Sequence, residues 1–65
     1  MDYNYLKGKI VENGHTFKSF AKKVGIAPQT FSNKLNKKVG FKQEEIKNIS
    51  VILELNADEI SRIFF

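Results

Sequence analysis

The chain has 65 residues and a formal net charge of +4. At this length we expect one domain with a single layer of core and no room for a sizeable substrate pocket beside it, so an enzyme is disfavoured. One histidine and no cysteine exclude a disulfide framework and a zinc site of the usual ligands. We therefore expect no metal and no cofactor.

The apolar content suits a small helical core. Hydrophobic residues make up 42% of the chain, and six of them are phenylalanine, which argues against disorder. No apolar run approaches the roughly 18 to 20 residues that span a bilayer, and the opening MDYNYLKGKIVENG lacks the apolar stretch of a secretory signal. The expected location is the cytoplasm, without a membrane partner.

The charges are unevenly distributed. No acidic residue occurs between Asn13 and Gln43, whereas that stretch carries seven lysines: Lys18, Lys22, Lys23, Lys34, Lys37, Lys38 and Lys42. From Glu44 to Phe65 five acids oppose only one lysine and one arginine. This polarity predicts one basic face directed at a polyanion. A solvated surface remains the alternative for any single lysine, because surface lysine is common.

The spacing of apolar residues and the capping residues predict five short helices. Leu6, Ile10 and Val11 place the first helix before Asn13 and Gly14, which can close it with a left-handed cap. Thr16 is expected to cap the second helix, whose core residues follow helical spacing: Phe17, Phe20, Ala21 and Val24.

A very short turn separates the second helix from the third. Gly25 ends the second helix after two turns, and Pro28 suits the first turn of the third because its missing N–H group costs nothing there. The third helix is expected from about Pro28 to Asn36, with Phe31 and Leu35 packed against the second helix.

Two further helices are predicted after a basic loop that Gly40 interrupts. The fourth spans about Gln43 to Glu54, and Asn56 with Glu59 forms a capping box for the fifth. The run SVILEL could also form a buried strand, but its position between helix caps favours a helix. The core residues of these two helices are expected to be Ile46, Ile49, Ile52, Leu53, Ala57, Ile60, Ile63 and Phe64.

Two short helices joined by a tight glycine turn are typical of a helix-turn-helix. The small Ala21 fits where the helix backbones approach closely, and Gly25 tolerates a positive φ at the turn. Gln29, Thr30 and Asn33 offer hydrogen bonds near the start of the second helix of the pair, which is the end that would enter a major groove. Gln and Asn can pair bidentately with adenine.

The stretch FKSFAKKVGIAPQTFSNKLN resembles the phage repressor and Cro family of helix-turn-helix regulators. The family pattern is an Ala, three residues, a Gly, five residues and an apolar residue, which here are Ala21, Gly25 and Phe31. The segments LKGKIVENG, FKQEEI and DEISRIFF are similar to small all-helical Cro-type proteins of phages of low-GC Gram-positive bacteria. The resemblance therefore covers nearly the whole chain.

The resemblance implies an all-α, lambda-repressor-like DNA-binding domain over residues 1–65. A protein of this type would be a sequence-specific transcriptional regulator of double-stranded DNA, acting in the cytoplasm of a bacterial host. It would act by occupying an operator, with its recognition helix at about residues 28–36. The expected partner is operator DNA. A homodimer with a second copy of the chain is the other expected assembly, and it can form on the DNA itself.

The family's contact positions can be carried over residue by residue. The base-reading positions at the start and first turn of the recognition helix fall on Pro28, Gln29 and Asn33. The remaining positions imply contacts to the DNA backbone, and we expect them at Thr16, Lys18, Lys22, Thr30, Ser32, Lys34, Asn36, Lys37 and Lys38.

Three positions depart from the family pattern. Phe17 stands where many relatives carry a polar residue that grips phosphate, so Thr16, Lys18 or the backbone must substitute. Pro28 offers only apolar contact, for instance to a thymine methyl group. Lys34 is apolar in many relatives, so either its stem lies at the edge of the core with its amine at phosphate, or the register is slightly shifted.

The last three residues are apolar and leave two alternatives open. Ile63, Phe64 and Phe65 can close the core, or they can form a patch through which two copies meet in a dimer. A second function hypothesis uses the same patch: a protein-interaction module, such as an antirepressor or an antitoxin-like partner, with only residual DNA affinity.

Overall fold

A computed structural model describes residues 2–36 and 39–65 of the chain. These residues form five α-helices and no strand, and the helices are α1 (Tyr3–Glu12), α2 (Phe17–Val24), α3 (Pro28–Leu35), α4 (Gln43–Leu53) and α5 (Ala57–Phe64). The prediction of an all-helical chain is therefore confirmed for the described residues, and the run SVILEL begins inside α4. In this part of the chain no helix is long and apolar enough to cross a membrane.

The predicted boundaries of α2 and α3 agree with the structure. The Thr16 hydroxyl accepts the N–H group of Ser19 at 3.0 Å, and the Ser19 hydroxyl accepts the N–H group of Thr16 at 3.0 Å. Gly25 ends α2 with a φ of 90°, and Pro28 is the first residue of α3. These ends are local, because each depends on side chains within three residues of the terminus.

The other helices also end on local devices. Asp2 caps α1 by accepting the N–H group of Tyr5 at 3.1 Å. Asn56 and Glu59 form the predicted capping box at the start of α5. Glu54 closes α4 in the left-handed region with a φ of 53°, which is unusual for a residue with a Cβ.

The core lies where α2 packs against α1, α3 and α4, and α5 covers α1. Each helix contributes buried side chains at helical spacing, which is the pattern expected of amphipathic helices. The buried apolar residues are Tyr3, Leu6, Ile10, Phe20, Ala21, Val24, Ile26, Phe31, Leu35, Ile49, Leu53, Ile63 and Phe64.

A chain of aromatic rings connects the core from α2 to α5. The ring centroids of Phe20 and Phe31 are 5.7 Å apart, and those of Phe31 and Phe41 are 6.0 Å apart. Phe41, from the segment before α4, also meets Phe64 at 5.5 Å and Tyr3 at 5.4 Å in edge contacts. Such tilted and edge-on pairs are the favoured arrangement of aromatic side chains.

Two residues that we assigned to the core face solvent. Phe17 is 40% exposed, and Ala57 is exposed as well. Phe17 is the first residue of α2 and Ala57 is the first residue of α5, so the apolar stripe of each helix continues beyond the region that the neighbouring helices cover. Those two assignments were wrong because periodicity indicates a face of a helix but not the extent of its partner.

Polar contacts tie α1 to α5 on the surface. The Tyr5 hydroxyl donates to Glu59 at 2.7 Å, and the Lys9 amine pairs with the same carboxylate at 3.3 Å. The hydrogen bond from Tyr5, followed by the N–H group of Asn56, lowers the pKa of Glu59. Arg62 stacks over the Tyr5 ring at 4.3 Å and donates to Asp2 at 3.2 Å.

Replacement of glycine by alanine should have opposite effects on stability at two positions, Gly8 and Gly25. A Cβ added at Gly8 or Gly25 would meet no atom within 4 Å, but Gly8 is an exposed helical residue while Gly25 has a φ of 90°. Gly8→Ala should stabilise the protein by about 1 kcal/mol through helix propensity. Gly25→Ala should destabilise it by about 1 kcal/mol because a Cβ disfavours left-handed backbone. Urea unfolding of both variants gives the two signs, and equal signs would contradict this account.

Candidate functional site

The candidate site is built on the junction of α2 and α3. Ala21 is fully buried at this junction, and its carbonyl accepts the N–H groups of Gly25 at 3.0 Å and Ile26 at 2.9 Å. Ile26 is itself buried, and Phe31 meets Phe20 across the two helices. The turn is thus fixed by backbone hydrogen bonds on one side and by packing on the other, so α3 has a defined orientation on α2.

The outward face of α3 carries the three predicted base-reading residues. Pro28 and Gln29 are exposed, and Asn33 is half-buried. The Gln29 side-chain amide donates from Nε2 to Oδ1 of Asn33 at 3.3 Å. The structure therefore brings these two amides together, one helical turn apart, beside the exposed ring of Pro28.

The start of α3 has no side-chain cap. Ala27 precedes the helix and has no polar atom on its side chain, and Pro28 has no N–H group. The N–H groups of Gln29 and Thr30 consequently lie at the positive end of the helix dipole without a capping side chain. This end of α3 can accept an anionic oxygen from outside the protein.

The exposed lysines of α2 have no carboxylate partner among residues 2–36 and 39–65. Lys18, Lys22 and Lys23 all face solvent, and neither α2 nor α3 contains an acidic residue. The three ion pairs among the described residues join Lys9 to Glu59, Lys34 to Glu45 and Arg62 to Asp2. The charge of the α2 lysines is therefore available to an external anion.

The remaining predicted backbone contacts are distributed around the same two helices. Thr30, Ser32 and Asn36 are exposed on α3 and at its end. Thr16 is exposed and accepts the Ser19 N–H group with its hydroxyl oxygen, which leaves the hydroxyl proton to donate. Lys37 and Lys38 lie outside the described residues.

The structure places Lys34 elsewhere than we expected. Its side chain is buried, its amine pairs with the carboxylate of Glu45, and it lies 5.8 Å from the centroid of the Phe41 ring. Burial raises the pKa of Glu45, but the ion pair with Lys34 and the N–H group of Lys42 outweigh it and lower the pKa. An amine held this way does not face a phosphate, so Lys34 is removed from the predicted backbone contacts.

The C-terminal residues divide between core and surface. Ile63 is fully buried and Phe64 is 7% exposed, whereas Phe65 is 78% exposed. Of the two alternatives left open by the sequence, the first two residues therefore take core closure, and their side chains are not available as dimer contacts. Phe65 alone remains of the predicted apolar patch, which is too little surface to carry the interaction-module hypothesis.

The sequence analysis missed two features, which are the ion pair between Glu45 and Lys34 and the hydrogen bond between the amides of Gln29 and Asn33. Glu45 lies in the first turn of α4, where it accepts the N–H group of Lys42 at 2.8 Å. Its second partner, Lys34, is 11 positions away and is reached through the fold. The i, i+4 spacing of Gln29 and Asn33 was readable in the sequence and is a spacing at which amides bond on helices.

The described residues define an all-α protein in which the surface of α2 is basic and neither α2 nor α3 carries an acidic residue. The chain belongs to the family described as "Protein of unknown function (DUF739)", whose sequence model matches residues 1–65. A comparison with curated proteins finds no match.

The buried ion pair predicts an asymmetry between its two partners. The side chain of Lys34 is 4% exposed and that of Glu45 is 17% exposed, so removing the carboxylate leaves the more deeply buried charge unpaired. Glu45→Gln, which keeps an acceptor for Lys42, should lower the free energy of unfolding by about 2 kcal/mol. Lys34→Met should change it by less than about 1 kcal/mol, because the carboxylate left behind reaches water.

Urea unfolding at pH 7 measures both changes. Equal costs for the two variants, or a larger cost for Lys34→Met, would contradict the asymmetry. The double variant gives the coupling energy of the pair.

Proposed function

We propose that this protein is a sequence-specific, double-stranded DNA-binding regulator of Cro type that acts by occupying an operator. The observation that carries the proposal is the outward face of α3, where Gln29 and Asn33 present amide groups beside the uncapped start of the helix. Amides suit base edges in the major groove, and free N–H groups at a helix start suit phosphate.

The dimensions of α3 fit this role. An α-helix with its side chains is about 10 to 12 Å across, which fits the major groove of B-DNA, about 12 Å wide, and the eight residues of α3 give it a length of about 12 Å. Its buried residues, Phe31, Lys34 and Leu35, anchor the opposite side of the helix in the protein. The polar side is therefore presented by a rigid support, as positioning against base edges requires.

Electrostatics supports the same surface. Lys18, Lys22 and Lys23 extend from α2 without carboxylate partners and would supply affinity without sequence information. Thr16, Thr30, Ser32 and Asn36 would add neutral hydrogen bonds to the DNA backbone. Two copies on half-sites about one helical turn apart would place α3 in successive major grooves and block access to the promoter.

Selection of bound sequences from a random pool of DNA duplexes tests the proposal. We expect an enriched motif with two-fold symmetry and an affinity for it at least 100-fold above that for random DNA. A pool that remains random after several rounds would reject the proposed function.

Gln29→Ala should relax the base preference within the selected site. The expected loss is about 1 to 3 kcal/mol of binding free energy on the selected site, with little change on random DNA, because the lost contact is to a base. Fluorescence anisotropy with both duplexes measures the two affinities. Equal loss on both would show that Gln29 does not read sequence.

The double variant Lys18→Ala/Lys22→Ala should weaken binding to all duplexes alike. The slope of log affinity against log salt should fall by about 2 in magnitude, because each lysine that neutralises a phosphate contributes about one counterion. Lys47→Ala is the matched control: Lys47 is an exposed lysine on α4 and should leave the slope unchanged. An unchanged slope in the double variant would exclude these lysines from the phosphate contact.

A further inference from the structure

We propose that Gln29 and Asn33 together recognise two neighbouring bases. Gln29 recognises adenine, and Asn33 recognises a base whose major-groove edge offers hydrogen-bond acceptors and no donor, which is guanine or thymine. This inference rests on the proposed DNA-binding function and specifies the kind of half-site that the surface takes. It follows from the direction of the hydrogen bond between the two amides.

That hydrogen bond determines which polar atoms remain available. Nε2 of Gln29 donates one hydrogen to Oδ1 of Asn33 at 3.3 Å. Gln29 therefore keeps its carbonyl oxygen and its second amide hydrogen, while Asn33 keeps both hydrogens of Nδ2 and has its carbonyl turned toward Gln29. One residue of the pair stays both donor and acceptor, and the other becomes mainly a donor.

The major groove contains matching patterns. Adenine presents the N7 acceptor beside the N6 amino donor, which suits a residue with one donor and one acceptor left. Guanine presents two acceptors, N7 and O6, and thymine presents O4, which suit a residue with donors only. Cytosine presents an amino donor and would face the amide hydrogens of Asn33 with repulsion. The pair thus favours adenine followed or preceded by guanine or thymine.

The bond also orders the two side chains before DNA arrives. An exposed glutamine has three rotatable bonds and loses rotamer freedom when it is fixed against a base. A partner one turn away on the same helix already restrains the Gln29 amide in the free protein. Asn33 should therefore influence the base that Gln29 reads, although it does not contact that base.

Three substitutions separate this coupling from independent reading. Asn33→Ala removes the partner, so the preferences at both base positions should fall by roughly 10-fold each. Asn33→Asp keeps an acceptor for Gln29 and loses both donors, so the adenine preference should remain while the neighbouring position shifts to cytosine, whose amino group a carboxylate accepts. Gln29→Ala should abolish the adenine preference and admit adenine at the neighbouring position, because the Asn33 carbonyl is then free.

Asn4→Ala is the matched control for Asn33→Ala, because Asn4 is an exposed asparagine on α1 and has no place among the proposed DNA contacts. It should leave both preferences unchanged. Each variant is first checked for helical content and thermal unfolding, and relative preferences are compared rather than absolute affinities, since Asn33→Asp adds a charge near phosphate.

Selection from a random duplex pool with the full chain, followed by anisotropy on single-base variants of the enriched site, is the measurement. A wild-type site without adenine beside guanine or thymine would overturn the inference, as would an Asn33→Ala variant that relaxes one position only. Both results leave the proposed function intact, because the wild type still selects a sequence. A wild type that selects no sequence overturns the proposed function and the inference together.

Discussion

The structure depends on the run of aromatic rings Phe20, Phe31 and Phe41, which reaches Tyr3 and Phe64 at its far end. The run gives α2, α3 and α5 a common core, and its middle member, Phe31, is fully buried in α3. Phe41 lies outside any helix yet contacts three other rings, so packing holds the segment before α4, together with the hydrogen bond from the N–H group of Lys42 to Glu45. The orientation of α3, and with it the polar outward face, follows from this packing.

Much of the fold was readable from the sequence because the signals are local. Thr16, Gly25, Pro28, Asn56 and Glu59 each act within one helical turn, and the structure uses each of them as predicted. The apolar spacing likewise identified most of the core. The spacing did not show where a covering helix ends, which is why Phe17 and Ala57 were assigned to the core although both are exposed.

Lys34 illustrates what the sequence could not provide. A lysine in a basic segment indicates a surface charge, and only the fold brings it to Glu45 and the ring of Phe41. For Ile63 and Phe64 the sequence left core closure and a dimer interface open, and the three-dimensional packing uses both residues for the core. The outward amides of α3, by contrast, were predictable, since an amphipathic helix defines both its buried and its exposed side.

The burial of Lys34 also provides an internal reference for labelling experiments. Amine-directed reagents should modify exposed lysines such as Lys18 and Lys22 in the folded protein, while Lys34 stays protected until the chain unfolds. In a labelling footprint of a complex, protection of the exposed lysines would report on contact with a ligand. Reactivity of Lys34 in the same sample would report on the fraction of unfolded chains.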